Sequence, residues 1–136
     1  MRQDRTLIDT NILIYMFSPE DPSKRAKAIQ AVRGLEKQGI VSTQVLQEFY
    51  WISTRKLRMN PLESKTIVAE FTEGEVVSTT PNLILDAIDL SIVSGFTIWD
   101  SLIVQAAIAG RCSRIFTADL NHGQVVKGIK IVNPLL

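Results

Sequence analysis

Residues 5–17 read RTLIDTNILIYMF, an apolar stretch interrupted by a short polar segment that begins with an acid. Residues 5–8 predict a short buried strand, and residues 12–17 predict one or two turns of helix directly after it. Asp9 closes the strand, in a place where an acid has little structural use. An acid at the end of a buried strand is therefore the first indication of a functional site.

The rest of the chain alternates short apolar runs with amphipathic stretches. Four more strands are predicted, at residues 40–42, 75–78, 114–117 and 128–132. Helices are predicted between them: from a cap at Ser23 to Gly39, from a cap at Thr43 to about residue 57, over residues 61–73, from Pro81 to Gly95, and from Ile98 through Ala109. Such alternation favours parallel strand pairing through right-handed crossovers. The predicted fold class is α/β, a three-layer α/β/α domain with a central parallel sheet of four to five strands.

Length and composition favour one domain over residues 1–136. Hydrophobic residues make up 46% and charged residues 21%, the balance of a soluble globular protein. The formal net charge is only +1, which argues against a strongly cationic nucleic-acid-binding module. Any contact with a nucleic acid must therefore rest on local basic patches.

Cysteine usage and hydropathy indicate the compartment. The single cysteine, Cys112, cannot form an internal disulfide, and no secretion signal is recognisable. No apolar stretch approaches the roughly 20 residues that span a bilayer. We expect a cytoplasmic protein without a membrane role.

Four acids stand where a parallel sheet would gather side chains. Asp9 and Asp119 follow the first and fourth strands, Asp100 lies in the first turn of the last helix, and Glu48 borders the apolar face of the third. Ligands of open parallel sheets bind beyond the carboxyl ends of the strands. Structural alternatives stay open for three of them: the helix macrodipole for Asp100, an Asx turn for Asp119, and a Lys or Arg pair for Glu48.

Converging carboxylates would favour a bound cation. Two negative charges about 5 Å apart repel by roughly 3 kcal/mol at an effective dielectric near 20, so the cluster would take up protons or hold an ion. Oxygen ligands without His or Cys favour Mg²⁺ or Mn²⁺ over Zn²⁺. One or two such ions could ionise a water and neutralise the leaving oxygen of a phosphodiester. The pattern predicts phosphodiester hydrolysis.

Four motifs resemble those of PIN domains, particularly the VapC-type toxins of toxin–antitoxin pairs. They are LIDTNIL at 7–13, VLQEF at 45–49, IWDSLI at 98–103 and FTADLN at 116–121, in the order and rough spacing of that family. The resemblance implies a metal-dependent endoribonuclease with one or two Mg²⁺ or Mn²⁺ ions, acting on single-stranded or structured RNA. It also implies a two-fold homodimer and an antitoxin whose tail blocks the acidic groove.

The same resemblance assigns roles to particular residues. Four carboxylates would hold the ions, the first two as principal ligands and the others directly or through water: Asp9, Asp100, Glu48 and Asp119. Three short polar residues would orient those ligands or a water: Thr10, Asn11 and Thr117. Ala118 stands where some relatives carry another acid, so Asp119 is the sole carboxylate of its loop.

Basic and aromatic residues near the end of the third helix suggest contacts beyond the metal site. Arg55, Lys56 and Arg58 would guide an RNA backbone toward the acids. Cations in the last turn of a helix are also favoured by its dipole, so a structural role stays open. Tyr50 and Trp51 are consecutive and cannot both enter one core, so one of them should meet a partner or cover another helix.

Two other functions place acids at a sheet edge. A signalling receiver domain would need an adjacent acid pair after the first strand, where this chain has Asp9-Thr10-Asn11, and a phosphorylatable mid-chain Asp, where Ser42-Thr43 follow the second strand. That function is disfavoured. A non-catalytic PIN-like RNA-binding or assembly module is the stronger alternative, against which the retention of all four acids argues.

Overall fold

The first strand lies in the middle of the sheet. In the computed structural model, which describes residues 5–136, strand β1 (Thr6–Ile8) pairs in parallel with β2 (Gly39–Ser42) on one side and with β4 (Arg114–Phe116) on the other. Strand β3 (Glu75–Val77) extends the sheet beyond β2, and β6 (Ile129–Val132) extends it beyond β4, both in parallel. Every residue of β1 is buried, as expected for a central strand covered on both faces.

Helices connect these strands and cover the sheet. Within residues 5–136 they are α1 (Thr10–Tyr15), α2 (Pro22–Leu35), α3 (Thr43–Arg55), α4 (Pro61–Thr72), α5 (Pro81–Ser94) and α6 (Ile98–Ala109), with a 3₁₀ turn at Glu36–Gln38. Helices α3 and α4 pack together, as do α5 and α6, and α6 also contacts β1. None of these described helices is long and apolar enough to cross a membrane. The single-domain organisation of residues 1–136 stays a prediction.

Phe49 anchors the helix that carries one of the acids. Its side chain is 0% exposed and makes edge-to-face contacts with Phe17, at 5.7 Å between ring centroids, and Phe71, at 5.5 Å. These contacts join α3 to α4 and to the segment after α1, and such pairs add about 0.5–1.5 kcal/mol each beyond burial. The position of the neighbouring Glu48 is therefore set by the core.

The predicted α/β fold class is confirmed, and the sheet has one strand more than predicted. A two-residue strand, β5 (Val125–Val126), pairs antiparallel with β6 and completes the order β3-β2-β1-β4-β6-β5. Lys127 (φ 52°) and Gly128 (φ 79°) form the turn between them, where positive φ at both positions matches the right-handed twist of a hairpin. The prediction of Gly128 as a strand residue is therefore wrong.

Two helices begin earlier than the sequence predicts. Ser42 caps α3 in place of Thr43, and Asp21 caps α2 in place of Ser23. Each capping side chain accepts a hydrogen bond from the backbone N–H three residues further on. Ser, Thr and Asp all serve as N-cap residues, so the sequence alone does not show which of two neighbouring candidates caps the helix.

Candidate functional site

The candidate site lies where the strand order reverses. The chain runs from β1 to β2 and β3 on one side and returns to β4 on the other, so the carboxyl ends of β1 and β4 flank the reversal. The backbone N–H of Asp9 donates to the carbonyl of Phe116 at 2.9 Å. This bond holds the acid after β1 against the end of β4, and so the first and fourth motifs meet.

Asp9 is 6% exposed, and both of its carboxylate oxygens accept hydrogen bonds. Oδ1 accepts from the backbone N–H of Thr10 at 2.7 Å. Oδ2 accepts from the hydroxyl of Thr117 at 2.8 Å and, more weakly, from the amide of Asn11 at 3.4 Å. These bonds replace part of the water that burial removes and hold the carboxylate in one orientation.

Further bonds tie the loop after β4 to the start of α1. The Thr117 hydroxyl accepts from the backbone N–H of Asp119 at 3.1 Å, and Oδ1 of Asn11 accepts from the N–H of Ala118 at 3.1 Å. Thr10, Asn11 and Thr117 thus hydrogen bond to Asp9, to Glu48 or to the loop that carries Asp119.

Glu48 reaches the same site from α3. Its Oε1 accepts from the hydroxyl of Thr10 at 2.7 Å. Within residues 5–136 Glu48 makes no ion pair, so the Lys or Arg partner left open by the sequence is not formed there. Thr10 therefore contacts two acids, Asp9 through its backbone and Glu48 through its side chain.

Asp100 is positioned by the cap of α6. The hydroxyl of Thr97 accepts from the backbone N–H of Asp100 at 3.1 Å, as the spacing predicts. Helix α6 packs against β1, and residues of its first turn line the same pocket as Asp9. The cap thus leaves the half-buried Asp100 side chain in the pocket wall.

One pocket of about 440 Å³ brings the four acids together. Its lining includes Asp9, Glu48, Asp100 and Asp119, together with a fifth acid that the sequence did not single out, Glu20. Apolar and aromatic side chains form another part of the wall: Ile14, Tyr15, Ile52, Leu57, Trp99 and Ile103. Lys56 is the one Lys or Arg among the lining residues that the structure describes.

Burial and the charges of neighbouring acids raise the pKa values of Asp9 and Asp100. Burial raises the pKa of Asp9 to about 6, with contributions from the charges of Asp119 and Glu48 and opposition from the hydrogen bonds of Thr117 and Thr10. Burial also raises the pKa of Asp100, and the charge of Asp119 adds to this. The pocket therefore concentrates negative charge that the protein itself does not neutralise.

The basic residues near the end of α3 lie in different surroundings. Lys56 lines the pocket, whereas the guanidinium of Arg55 lies over the ring of Trp51 at 4.0 Å. Arg58 is exposed and lies outside the pocket lining. Tyr50 and Trp51 are both exposed, so neither side chain enters the core. The Arg55 guanidinium covers the ring of Trp51.

The donor set fits a hydrated hard cation. Among the described residues, 5–136, no group of three or more His, Cys, Asp or Glu is arranged to hold a metal ion. Mg²⁺ keeps several waters and is commonly bound by one or two carboxylates, and an all-oxygen pocket with unneutralised negative charge suits it. A site that encloses the ion in protein ligands, as zinc prefers, is not present in the described part.

The family model of the PIN domain matches residues 6–128. The chain belongs to the PIN domain family, as the four acidic motifs indicate. No curated protein shows significant sequence similarity to it.

Solved structures of toxin systems share the fold. A toxin–antitoxin complex from Klebsiella pneumoniae has a TM-score of 0.73 at 20% identity, covering 95% of this chain and 97% of the other. VapC20 of Mycobacterium tuberculosis, described as a sarcin-ricin loop cleaving toxin, has 0.71 at 14%, with 84% and 91% covered. DNA-bound VapBC from Salmonella typhimurium has 0.66 at 17%, with 95% and 97% covered. At these identities the likeness shows a common fold.

Substitution of Asp9 by Asn should stabilise the metal-free protein. A carboxyl whose pKa is higher in the folded than in the unfolded state binds its proton more tightly when folded, so its ionisation lowers stability as the pH rises. The rise from 3.8 to about 6 corresponds to roughly 3 kcal/mol, of which the altered hydrogen bonds remove a part. We expect a gain of about 1–3 kcal/mol at pH 8 in EDTA that shrinks below pH 6.

Urea denaturation of Asp9→Asn and wild type at pH 8 and pH 4.5 measures this difference. Glu70→Gln, at an exposed carboxylate on α4, is the matched control and should change stability little at either pH. A less stable Asp9→Asn protein at pH 8 would show that the hydrogen bonds of the carboxylate outweigh the cost of burying its charge.

Proposed function

We propose that this protein is a metal-dependent endoribonuclease that hydrolyses RNA phosphodiester bonds, and that it is the toxin of a toxin–antitoxin pair. The observation that carries the proposal is a single pocket lined by the acids of all four motifs in a PIN-domain chain. The shared fold with VapC20, described as a toxin that cleaves the sarcin-ricin loop, supports RNA as the substrate.

The cofactor in this proposal is Mg²⁺ or Mn²⁺, as one or two ions. Asp9 and Asp100 are the proposed principal ligands, and Glu48 and Asp119 complete the pocket directly or through water. Such an ion supplies an ionised water and neutralises charge on the leaving oxygen. The raised pKa values of Asp9 and Asp100 support this, because a cation would relieve the repulsion that contributes to them.

The chain's own residues provide orientation and charge. The hydrogen bonds from Thr10, Thr117 and Asn11 hold the Asp9 carboxylate in place before substrate arrives, which reduces the reorganisation needed during reaction. In the described residues Glu48 is hydrogen bonded only through Oε1, so Oε2 is available to accept from a water. The Lys56 ammonium is the proposed contact for a substrate phosphate.

A non-catalytic RNA-binding or assembly module is the alternative. Burying Asp9 beside two other carboxylates carries a cost in folding stability, which such a module would have no reason to retain. This favours the enzyme.

Asp100→Asn should abolish metal-dependent RNA cleavage while leaving the fold intact. The substitution removes a proposed ligand but hardly changes volume, so we expect a loss of about 100-fold or more. Millimolar Mg²⁺ or Mn²⁺ should raise the melting temperature of the wild type, because the ion binds only the folded protein, and less so for Asp100→Asn.

Cleavage of labelled RNA with Mg²⁺, Mn²⁺ or EDTA and thermal melts in the same buffers measure both effects. Asp86→Asn, at an exposed acid on α5, should behave like the wild type. Equal cleavage in EDTA would refute metal dependence, and an unchanged melting temperature in both ions would refute a metal site in this pocket.

Lys56→Ala should flatten the salt dependence of RNA binding. Each phosphate contact on a single strand contributes about 0.7 to the slope of log affinity against log salt concentration. Because Arg58 lies outside the pocket and Arg55 covers Trp51, alanine at either position should change the slope less. Lys37→Ala, at an exposed lysine after α2, is the control. Fluorescence anisotropy over a salt series measures the slopes, and a wild-type slope for Lys56→Ala would exclude this contact.

We propose a homodimer formed through α5. This helix packs on α6 through buried side chains, yet Ile84, Ile88 and Ile92 are exposed and lie four residues apart on one stripe. Exposed apolar patches mark interaction sites, and a two-fold dimer would pack this stripe against the same stripe of a second copy. Ile88→Glu should convert the dimer to a monomer by light scattering, whereas Leu62→Glu, at an exposed apolar residue of α4, should not. A monomeric wild type would refute this interface.

The proposed protein partner is a cognate antitoxin that covers the acidic pocket. Support comes from the fold shared with solved toxin–antitoxin complexes. Inhibition of RNA cleavage by the purified product of an adjoining small reading frame tests this, and a nuclease that is indifferent to that product would count against the toxin role. A cytoplasmic location stays a prediction from cysteine usage.

A further inference from the structure

The two tryptophans of the chain are similarly exposed but differ in their surroundings. Trp51 is 58% exposed and its ring is covered by the Arg55 guanidinium at 4.0 Å. Trp99 is 62% exposed, and within residues 5–136 its indole makes no ring, cation or hydrogen-bond contact. Trp51 lies outside the acidic pocket, whereas Trp99 is part of its wall. Of the two tryptophans, Trp99 is therefore the one with an open aromatic face beside the acids. The other aromatic residue of the described wall, Tyr15, is half-buried, with the Lys24 ammonium 5.5 Å from its ring centroid.

The position of Trp99 is set by the same helix start that positions Asp100. Trp99 is the second residue of α6, whose cap at Thr97 is formed and whose following turn is buried against the sheet. The helix backbone thus holds the indole directly before the acid. A side chain on a rigid helix start is better placed to meet a substrate than one on a loop, because little ordering remains to be done on binding.

The pocket wall has an acidic part and an apolar part, and a nucleotide likewise has a charged phosphate and a flat, uncharged base. The carboxylates suit a hydrated cation and the phosphate bound to it, and the apolar part suits a flat, uncharged base. The acids outnumber the one lining cation, Lys56, so charge attraction from the protein is weak in this pocket. Uncharged contacts, such as stacking of a base on an aromatic ring, would then add to the affinity for an RNA strand.

We propose that Trp99 stacks on an unpaired base next to the phosphate that is cleaved, and so selects RNA in which that base is free of a helix. This inference rests on the proposed nuclease function and names the contact that selects the substrate. Because stacking needs an open base face, a base in a continuous duplex is rejected unless it can leave the stack. Larger purine bases are favoured over pyrimidines, and an abasic residue is not held.

Single-tryptophan variants test this contact. Trp51→Phe leaves Trp99 as the only tryptophan, and Trp99→Phe leaves Trp51. Each is titrated, with Ca²⁺ in place of Mg²⁺, with single-stranded oligoribonucleotides of equal length: oligo(A), oligo(U) and an abasic ribose-phosphate chain. We expect quenching of indole fluorescence in Trp51→Phe, strongest with oligo(A) and absent with the abasic chain, and no base-dependent quenching in Trp99→Phe.

Cleavage kinetics provide a second readout. Trp99→Ala should raise KM by about 5- to 150-fold, the range spanned by the loss of one base–aromatic stack, with kcat changed only a few-fold. Trp99→Phe should restore most of the lost affinity because it keeps an aromatic face, whereas Trp51→Ala should keep the wild-type KM. A structural role for Trp99 would not produce this ordering among bases.

The outcomes separate this inference from the proposed function. RNA cleavage without base-dependent quenching of Trp99 would overturn the stacking contact but leave the proposed nuclease function standing. Base-dependent quenching without cleavage would overturn the nuclease function but leave the contact between Trp99 and a base standing. A Trp99 signal that follows protein concentration and ignores RNA would overturn the inference in favour of a contact between protein chains. Equal quenching by oligo(A) and the abasic chain would also overturn it.

Discussion

Burial of the Asp9 carboxylate between β1 and β4 is the constraint on which the site depends. A buried charge is tolerated only where hydrogen bonds replace the water it loses, and Thr10, Asn11 and Thr117 provide them. Two of these residues begin α1 and the third follows β4, so the bonds that satisfy the acid also join distant segments of the chain. The remaining cost appears as a raised pKa, which explains why the pocket suits a cation.

Parallel pairing brings the other acids to the same edge. Because β1 and β4 run in the same direction, the residues after both strands leave the sheet together, and α6 returns to that edge by packing on β1. Glu48 is positioned differently. The aromatic contacts of Phe49 fix α3, and the Thr10 hydroxyl donates a hydrogen bond to the Glu48 carboxylate. The site is thus assembled by the core as much as by its own polar contacts.

Charge and apolar surface have separate roles around the pocket. The acids repel a nucleic acid backbone unless a cation intervenes, and Lys56 is the one lining cation among the described residues. The exposed indole of Trp99 and the apolar wall near it offer contacts that do not depend on charge. This division is consistent with the near-neutral net charge of the chain, +1, which gives no general attraction for RNA.

The sequence by itself determined the α/β class and the five longer strands, because hydrophobic period, caps and the ends of strands are local properties. Its four acidic motifs also indicated residues that the structure places in one pocket. It did not reveal β5, since two residues are too few to show alternation. Only the tertiary structure decided that Lys56 lines the pocket while Arg58 does not, and that the exposed Trp99 lies in the pocket wall with the acids. Those distinctions depend on distances between segments far apart in the chain, which packing of the helices on the sheet sets and spacing along the chain does not encode.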